Sequence, residues 1–311
     1  MNGSVHKQVR TLFHQVDAIG TSRHHAKELA KASGGSDWHS TGKLMGIHSY
    51  QTSEKYLKTW REFGNYVRSE FRLKDMQRVS SLHVGSFLEA KMASGVRYST
   101  FTTCASALQK LEVALNRTGV KFGNYAEGHC HFAATIAEAR SEARGILERN
   151  VHTRAYESPQ SLINGVTHPT FNLAASMQLE SGARVGEISR IHHGQLDSAN
   201  RTVEVKGKGG KVRHLQLSDS TFVRLEQAME QRGGVFGFST SPYRSALKEG
   251  AQRSSQPYSG SHGLRWNFAQ NRMAQLTGQG MQHEQALVAV SKEMGHERGS
   301  ITEHYLQGPG S

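Results

Sequence analysis

Hydrophobic residues recur at helical spacing along most of this chain. Between residues 50 and 135 they fall three and four positions apart, which predicts three or four amphipathic helices. We expect the second helix to begin after Ser80-Ser81 and end at Gly95, and the third to run from Ser99 to near Gly119. The apolar face of the first helix comprises Tyr50, Tyr56, Leu57, Trp60, Phe63 and Val67.

One pair of segments has a different period. Residues 202–205 and 212–217 alternate apolar and polar side chains on either side of a Gly-rich basic turn, which predicts a β-hairpin. Helical patterns also extend from Pro159 to about Arg190 and over 219–232, 242–253, 262–276, 282–294 and 299–306. The sequence therefore predicts a mostly α protein with a small β-hairpin or sheet, in which a helical N-terminal domain precedes an α+β domain.

The length of 311 residues favours two domains, because single cores rarely grow beyond about 250 residues. Residues 136–157 begin as a charged helix and then lose periodicity, so we place the linker around 148–158. The expected domains are 49–150 and 158–311. Residues 1–48, rich in His, Ser, Gly and Lys, form an N-terminal arm to which the sequence assigns no role.

The chain is basic, with a net charge of +12 and a pI near 9.8, which favours a polyanionic partner. Residues 1–150 carry 21 Lys and Arg against 13 Asp and Glu, whereas residues 151–311 carry 17 against 13. The N-terminal half is therefore the expected electrostatic contact with nucleic acid. Four cations on or near the polar side of the first helix are candidates for phosphate contacts or for a solvated face: Lys55, Lys58, Arg61 and Arg68.

Several classes of protein are disfavoured. Two cysteines, Cys104 and Cys130, give no disulfide framework. No run approaches the roughly 18 apolar residues of a membrane span, and the N-terminus has no apolar signal core, so we expect a soluble cytoplasmic protein. The pairs His24-His25 and His192-His193 point apart on regular structure and no Cys/His spacing typical of zinc occurs, so no metal or other cofactor is expected.

The second half contains four short basic motifs in a fixed order, ending in a tyrosine. Cleavage of a phosphodiester without a metal needs cations for the developing charge, a nucleophile and an acid for the leaving oxygen. Arginine suits the first task because its planar fork binds two oxygens and stays charged. The motifs are Gly182-Ala-Arg184-Val-Gly-Glu187, Gly207-Lys208-Gly-Gly-Lys211-Val-Arg213, His262-Gly-Leu-Arg265, and Gly295-His296 followed nine residues later by Tyr305.

Taken together, these motifs resemble the tyrosine recombinase (phage integrase) family over roughly residues 50–306. The resemblance implies that Arg184 and Arg265 clamp the scissile phosphate and that Glu187 supports the site. His262 would act as acid or base, or as a donor to the phosphate. His296 would hydrogen-bond the phosphate, and Tyr305 would attack it. Trp266 departs from the pattern, since a histidine or another polar residue is more usual there.

The hairpin carries further candidates. By the same resemblance Lys208 is the general acid that protonates the 5′-oxygen, with Lys211 and then Lys206 as alternatives. Lys206, Lys211 and Arg213 are also candidate DNA contacts. A plain hairpin turn with solvated lysines is the alternative interpretation, and a P-loop is excluded because its Gly-x-x-x-x-Gly-Lys-Ser/Thr pattern is absent.

The implied function is a metal- and ATP-independent DNA strand transferase that forms a 3′-phosphotyrosyl link. A helical core-binding domain and the catalytic domain would hold double-stranded DNA, and four protomers would pair two sites, with an accessory DNA-bending protein in some systems. Because only six residues follow Tyr305, coupling through a long C-terminal tail is not predicted. A mobile-element or prophage integrase, located on the nucleoid when bound to DNA, is the first choice. The alternatives are a non-catalytic DNA-binding protein of the same fold and a type IB topoisomerase-like nicking-closing enzyme.

Overall fold

The computed structural model describes residues 1–123, 128–148, 153–207, 212–296 and 299–306. The chain divides into two compact units, Met1–Asn150 and Val151–Ser311. The first unit is helical throughout its described elements. Its helices are α1 (Val5–Phe13), α2 (Arg23–Ala32), α3 (Trp38–Leu44), α4 (Tyr50–Glu70), α5 (Ser81–Ala93), α6 (Tyr98–Lys121) and α7 (Ala133–Ile146).

The core of the first unit lies between α4, α5, α6 and α7. Trp60 and Phe63 on α4 are fully buried, and the Trp60 indole nitrogen donates to the carbonyl of Ala107 on α6 at 2.7 Å. Helix α1 packs on α4 and α6, and Val9 and Leu12 are buried in the same core. The described part of residues 1–48, which composition had set apart as an arm, therefore folds as part of this unit.

Local sequence signals account for the helix boundaries here. Ser80 precedes α5 and forms a reciprocal capping arrangement with His83, whose Nδ1 accepts from the Ser80 backbone N–H at 3.0 Å. After α5 the chain turns at Gly95, where φ is +66°. The prediction for α4 was wrong at one position: Tyr50 is 73% exposed and lies at the first residue of the helix, outside its buried face.

The second unit combines helices with two small antiparallel sheets. Its elements are α8 (Pro159–Asn164), α9 (Pro169–Ser181), α10 (Val185–Ile188), β1 (Arg190–His192), β2 (Leu196–Asp197), β3 (Thr202–Lys206), β4 (Val212–Gln216), α11 (Asp219–Glu230), β5 (Val235–Gly237), α12 (Thr240–Arg253), α13 (Ser261–Gly278), α14 (His283–Glu293) and α15 (Gly299–Leu306).

Strands β3 and β4 form the predicted hairpin. They pair antiparallel with Val203 opposite Leu215 and Val205 opposite Arg213, and β2 adds a third strand beside β3. The sequence missed the second sheet, in which β1 pairs with β5 and Ile191 faces Phe236. Both strands have three residues, too short for an alternating pattern to register. The predicted fold class, mostly α with small antiparallel sheets, is confirmed.

Two hydrophobic clusters fill this unit. The larger surrounds α9, with Leu173 and Met177 buried against the sheets, α11 and α12. The smaller lies between α13, α14 and α15 and includes Trp266, Val290 and Tyr305. Helix α15 thus packs on α13, which carries the His-x-x-Arg motif, and on α14, which precedes the Gly-His motif. Across the described chain, no helix combines the length and apolar character that crossing a bilayer requires.

Candidate active site

Arg184, the arginine of the first motif, follows a left-handed turn. Helix α9 ends at Ser181, and Gly182 adopts φ +62°, where a Cβ would lie 2.4 Å from the Phe268 Cδ1 atom. Two residues later, Arg184 precedes α10. Its backbone N–H donates to Glu187 Oε2 at 2.7 Å and its Nη1 donates to Oε1 at 2.8 Å. The glycine is thus required by the turn, and Glu187 fixes both the backbone and the side chain of Arg184.

Glu187 also binds Arg213 of β4. Arg213 Nη2 donates to Glu187 Oε2 at 2.6 Å, and Arg213 Nη1 donates to the carbonyl oxygen of Glu293 at the end of α14. The Arg213 side chain is only 8% exposed. The prediction that Arg213 contacts DNA is therefore corrected: its guanidinium is turned inward by the carboxylate and supports the site from within.

One carboxylate thus holds two guanidinium groups. Burial alone would raise the pKa of Glu187, but the charges and hydrogen bonds of Arg213 and Arg184 lower it below its ordinary value. Glu187 therefore stays ionised at neutral pH. The Arg184 side chain remains 33% exposed although Glu187 holds its backbone N–H and one guanidinium nitrogen, so the guanidinium can bind an external anion.

Arg265 is fully buried on the first turns of α13. Nη1 donates to the carbonyl of Gly182, and Nη2 donates to the carbonyl of Met294 at 2.6 Å. Its Nε has no hydrogen-bond partner within the described residues. A buried guanidinium N–H left unpaired is costly, so this group marks a position that an anionic oxygen can satisfy.

His296 contacts Arg265 directly. A guanidinium only donates, so His296 Nε2 accepts the 2.8 Å bond from Arg265 Nη2. The ring proton then resides on Nδ1, which lies 2.8 Å from Thr302 Oγ1, an oxygen that also accepts from Ser291 Oγ at 2.7 Å. Both ring nitrogens are engaged. This geometry favours His296 as a support for Arg265 rather than as the direct phosphate ligand implied by the motif.

Tyr305 meets these residues from α15. Its hydroxyl lies 3.0 Å from His262 Nε2, and its ring lies 5.3 Å from the His296 ring and 5.7 Å from the Arg265 guanidinium carbon. The residue is only 7% exposed. The structure thus places His262 at the phenolic oxygen of Tyr305 and brings Arg265 and His296 close to its ring, and the charge of Arg184 acts on both histidines.

Both histidines are neutral at physiological pH. Burial, followed by the charges of Arg265 and other neighbouring groups, lowers the pKa of His262 to about 4 and that of His296 to about 3. Burial and the charge of Arg184 also lower the pKa of Arg265, to about 10, which leaves it cationic. The site is therefore a positively charged surface with neutral imidazoles, suited to an anionic substrate.

Trp266 completes the surroundings of the tyrosine. It is 1% exposed, and its ring lies 5.3 Å from the Tyr305 ring and 5.0 Å from the His304 ring. Such edge and tilted contacts between aromatic rings are favourable. The residue that departs from the family pattern therefore packs in the core that holds α15 in place.

The predicted DNA-contacting lysines and arginines differ in their exposure and in whether the described residues include them. Lys208 and Lys211 lie outside the described residues. Lys206 is exposed at the end of β3. In the first unit, Lys55, Lys58 and Arg61 are exposed on α4, whereas Arg68 Nη2 donates to the carbonyls of Gly3 and Lys74 at 3.2 and 3.4 Å. Arg68 is thus partly engaged in holding the N-terminus.

Sequence reasoning missed the supporting role of Arg213 and the part played by Thr302 and Ser291. For Arg213 a signal was present: it lies two positions before Leu215 in β4, and the two-residue period of a strand places both side chains on the inner face. Thr302 carried no such signal. Among the described residues, no group of three or more His, Cys, Asp or Glu side chains is arranged to hold a metal ion.

Comparison with known proteins finds a family match for the part of the chain that contains this site. Residues 168–308 match the phage integrase family. No curated protein matches the chain. Similar solved structures include the XerH recombinase bound to a palindromic difH substrate after cleavage, with 14% identity, coverage of 97% of this chain and 90% of that one, and a TM-score of 0.64.

Two integrase structures are also similar. A lambda integrase dimer bound to a COC′ core site shares 14% identity, with 93% and 97% of the two chains covered and a TM-score of 0.60. The Tn1549 transposon integrase with a circular-intermediate DNA shares 12% identity, with 95% and 94% covered and a TM-score of 0.56. At these identities the similarity shows the fold. Residues 168–308 match the phage integrase family, the tyrosine recombinases, in agreement with the resemblance drawn from the motifs of the chain.

Proposed function

We propose that this protein is a site-specific tyrosine recombinase that cuts and rejoins duplex DNA through a 3′-phosphotyrosyl intermediate. The observation that carries the proposal is the position of Tyr305, whose hydroxyl lies 3.0 Å from His262 Nε2 and whose ring lies close to Arg265 and His296. A tyrosine placed for packing alone has no need of a neutral imidazole at its oxygen and two arginines nearby.

The first step is attack of the Tyr305 oxygen on the scissile phosphorus. In the tautomer protonated on Nδ1, neutral His262 accepts the phenolic proton at Nε2 as the new P–O bond forms. The P–O5′ bond breaks, and the phosphate stays attached to the 3′ side through tyrosine. Arg184 and the unpaired Nε–H of Arg265 meet the charge that develops on the non-bridging oxygens.

The leaving 5′-oxygen needs a proton, which we assign to Lys208 on the strength of its motif. His296 orients Arg265, and Glu187 with Arg213 orients Arg184. The reverse reaction, in which a 5′-hydroxyl from another strand attacks the phosphotyrosine, rejoins DNA without ATP because the bond energy is retained in the covalent link.

The partner in this proposal is double-stranded DNA. XerH, lambda integrase and the Tn1549 integrase were each crystallised with DNA, the lambda protein as a dimer on a core site. By analogy we assign four protomers to two synapsed sites, and integration of a mobile element or prophage as the biological role. The basic first unit would supply phosphate contacts that position the protein on DNA.

Covalent trapping tests the proposal. Labelled duplexes from the flanks of the gene, nicked near candidate sites, are incubated with protein in EDTA and resolved on a denaturing gel. We expect an adduct with wild type and with Tyr50→Phe, a matched control at an exposed tyrosine, and none with Tyr305→Phe, which should keep its DNA affinity.

Other outcomes select the alternatives. An adduct from Tyr305→Phe would remove the nucleophile assignment. An adduct without strand exchange between two DNAs, but with relaxation of supercoils, would indicate a nicking-closing enzyme. Salt-sensitive binding with no adduct on any fragment would indicate a DNA-binding protein that does not cut.

A further inference from the structure

A shallow depression of about 350 Å³ opens beside the candidate active site, within the second unit. Its lining includes Arg154, Arg184, Arg244, Gly260, Ser261 and His262, and we call it the basic depression. No Asp or Glu is among the described residues that line it. Arg184 and His262 belong to the catalytic motifs, whereas Arg154 and Arg244 lie outside every motif. The depression therefore extends the cationic surface away from Tyr305.

Arg154 is anchored close to the start of α13. Its Nη2 donates to the carbonyl of Ser259 at 2.8 Å and lies 3.4 Å from the position that a Cβ on Gly260 would occupy. The side chain remains exposed, and its charge reaches His262, whose pKa it helps to lower after burial and Arg265. One nitrogen of the guanidinium is thus held by the protein, and the rest stays available to a ligand.

Arg244 provides the second cation from α12. It is exposed, and within the described residues it forms no ion pair that would neutralise it. Arg244 and Arg154 both act on Tyr258: burial raises the pKa of this tyrosine and the two guanidinium charges oppose that rise. Two arginines from separate elements therefore converge on one depression without a carboxylate between them.

The start of α13 adds to the positive potential. The helix has 18 residues and follows Gly260 at φ +75°, and no side chain in the described part of the chain caps its N-terminus. Backbone N–H groups and the helix dipole make such an end favourable for an anion. Here this feature adds to the two arginines that line the depression, and together they describe a binding site for a phosphate group.

We propose that the basic depression binds the DNA backbone phosphate next to the scissile one, with Arg154 and Arg244 as its ligands. The inference rests on the proposed function, because the scissile phosphate is placed at Arg184 and Tyr305. Arg184 and His262 border both sites, so a strand held at one continues into the other. This contact positions the strand and reads no base.

The first experiment measures binding alone. The affinity of the full chain for a labelled duplex is followed against salt concentration by fluorescence anisotropy, with wild type, Arg154→Ala/Arg244→Ala, the corresponding double Lys variant and Arg224→Ala. The slope of log K against log salt is negative, and each lost phosphate contact makes it shallower by about 0.9. We expect the slope of the double Ala variant to be shallower by the amount of roughly two contacts. We expect no change of slope for the Lys variant or for Arg224→Ala, an exposed arginine that does not line the depression. An unchanged slope in the double Ala variant would overturn the inference.

The second experiment locates the contact. Single methylphosphonates, which lack the phosphate charge, are placed on either side of the mapped cleavage position. In wild type, neutralising the adjacent phosphate should slow adduct formation about tenfold, whereas the double Ala variant should show no further loss. If the methylphosphonate and the double Ala variant slow adduct formation independently, their effects multiply. That result would mean that the arginines contact other phosphates, which contradicts the assignment. Absence of any wild-type adduct would count against the proposed function, and the salt measurement would still decide the depression.

Discussion

Glu187 and Arg213 form a buried ion pair, with 2.6 Å between Glu187 Oε2 and Arg213 Nη2 and side chains that are 4% and 8% exposed. The same carboxylate holds Arg184. Arg213 lies on strand β4, which begins at Val212. The pair therefore ties strand β4 to Arg184 through one carboxylate.

Removing Arg213 should be far more damaging than removing a surface cation. Loss of one partner from a buried pair leaves the other charge uncompensated and costs about 3–5 kcal/mol. We expect Arg213→Ala to lower the unfolding free energy of the second unit by roughly this amount and to slow adduct formation. Arg201→Ala, which breaks the exposed pair with Asp219, should cost less than about 1 kcal/mol. Urea denaturation compares them, and equal effects would contradict the anchoring role.

Thr302 should hold the ring of His296 in its orientation. Arg265 keeps the acceptor at Nε2, and Thr302→Val keeps the shape but removes the oxygen that accepts from Nδ1. We expect a buried Nδ1–H without a partner in the variant, a poorly oriented Arg265 and adduct formation slower by about tenfold, equivalent to roughly 1.4 kcal/mol. Thr302→Ser should retain wild-type behaviour. The ¹⁵N chemical shift of Nδ1 reports the loss of this hydrogen bond, and a wild-type spectrum in Thr302→Val would remove the argument.

Acid should destabilise the second unit through its buried histidines. The folded pKa values, about 4 for His262 and about 3 for His296, lie below the value of about 6.5 in an unfolded chain. Between these limits the unfolded chain binds more protons, so stability is full above about pH 6.5 and declines as pH falls towards the folded values. Each pKa unit of difference corresponds to roughly 1.4 kcal/mol. Denaturation midpoints from pH 8 to 4 should fall less steeply in His296→Gln than in wild type, and parallel curves would refute the assignment.

Gly182 should tolerate no side chain. Alanine there must adopt φ +62° and place its Cβ 2.4 Å from Phe268 Cδ1. We expect Gly182→Ala to lose well over 1 kcal/mol of stability and to displace Arg184. Gly186→Ala is the matched control and should be near neutral, because no neighbouring atom of the described residues lies within 4 Å of the added Cβ. In a double-mutant cycle with Phe268→Ala, the two losses should sum to more than the loss of the double variant, as measured by thermal unfolding.

Much of the fold followed from residue periodicity. The longer helices repeat the three-to-four spacing over several turns, and the β3–β4 hairpin alternates over five paired positions, so each pattern is redundant. Strands β1 and β5 have three residues each, and the order along the chain does not show that Ile191 will meet Phe236. The packing of helix α1 into the first unit was not predicted, because its burial depends on α4 and α6, which only the tertiary structure brings to it.

The sequence predicted the residues of the candidate site that belong to a motif. It did not predict the residues that hydrogen-bond to them. Arg184, His262, Arg265, His296 and Tyr305 were all named from motifs that resemble those of the tyrosine recombinases. Their hydrogen bonds were not, because Thr302, Ser291 and the Glu293 carbonyl have no distinctive pattern of their own. The inward direction of Arg213 depends on a carboxylate 26 positions away, and a basic residue next to a basic turn is otherwise expected to face solvent.

The packing of Trp266 against Tyr305 and His304 has an optical consequence. An indole 5.3 Å from the tyrosine ring and 5.0 Å from an imidazole is sensitive in its emission to any departure of α15 from α13. The chain has three tryptophans, and the other two, Trp38 and Trp60, lie in the first unit. With those two changed to phenylalanine, the protein carries its own fluorescent reporter of whether the tyrosine helix is docked, readable in real time as DNA is added and without any attached dye.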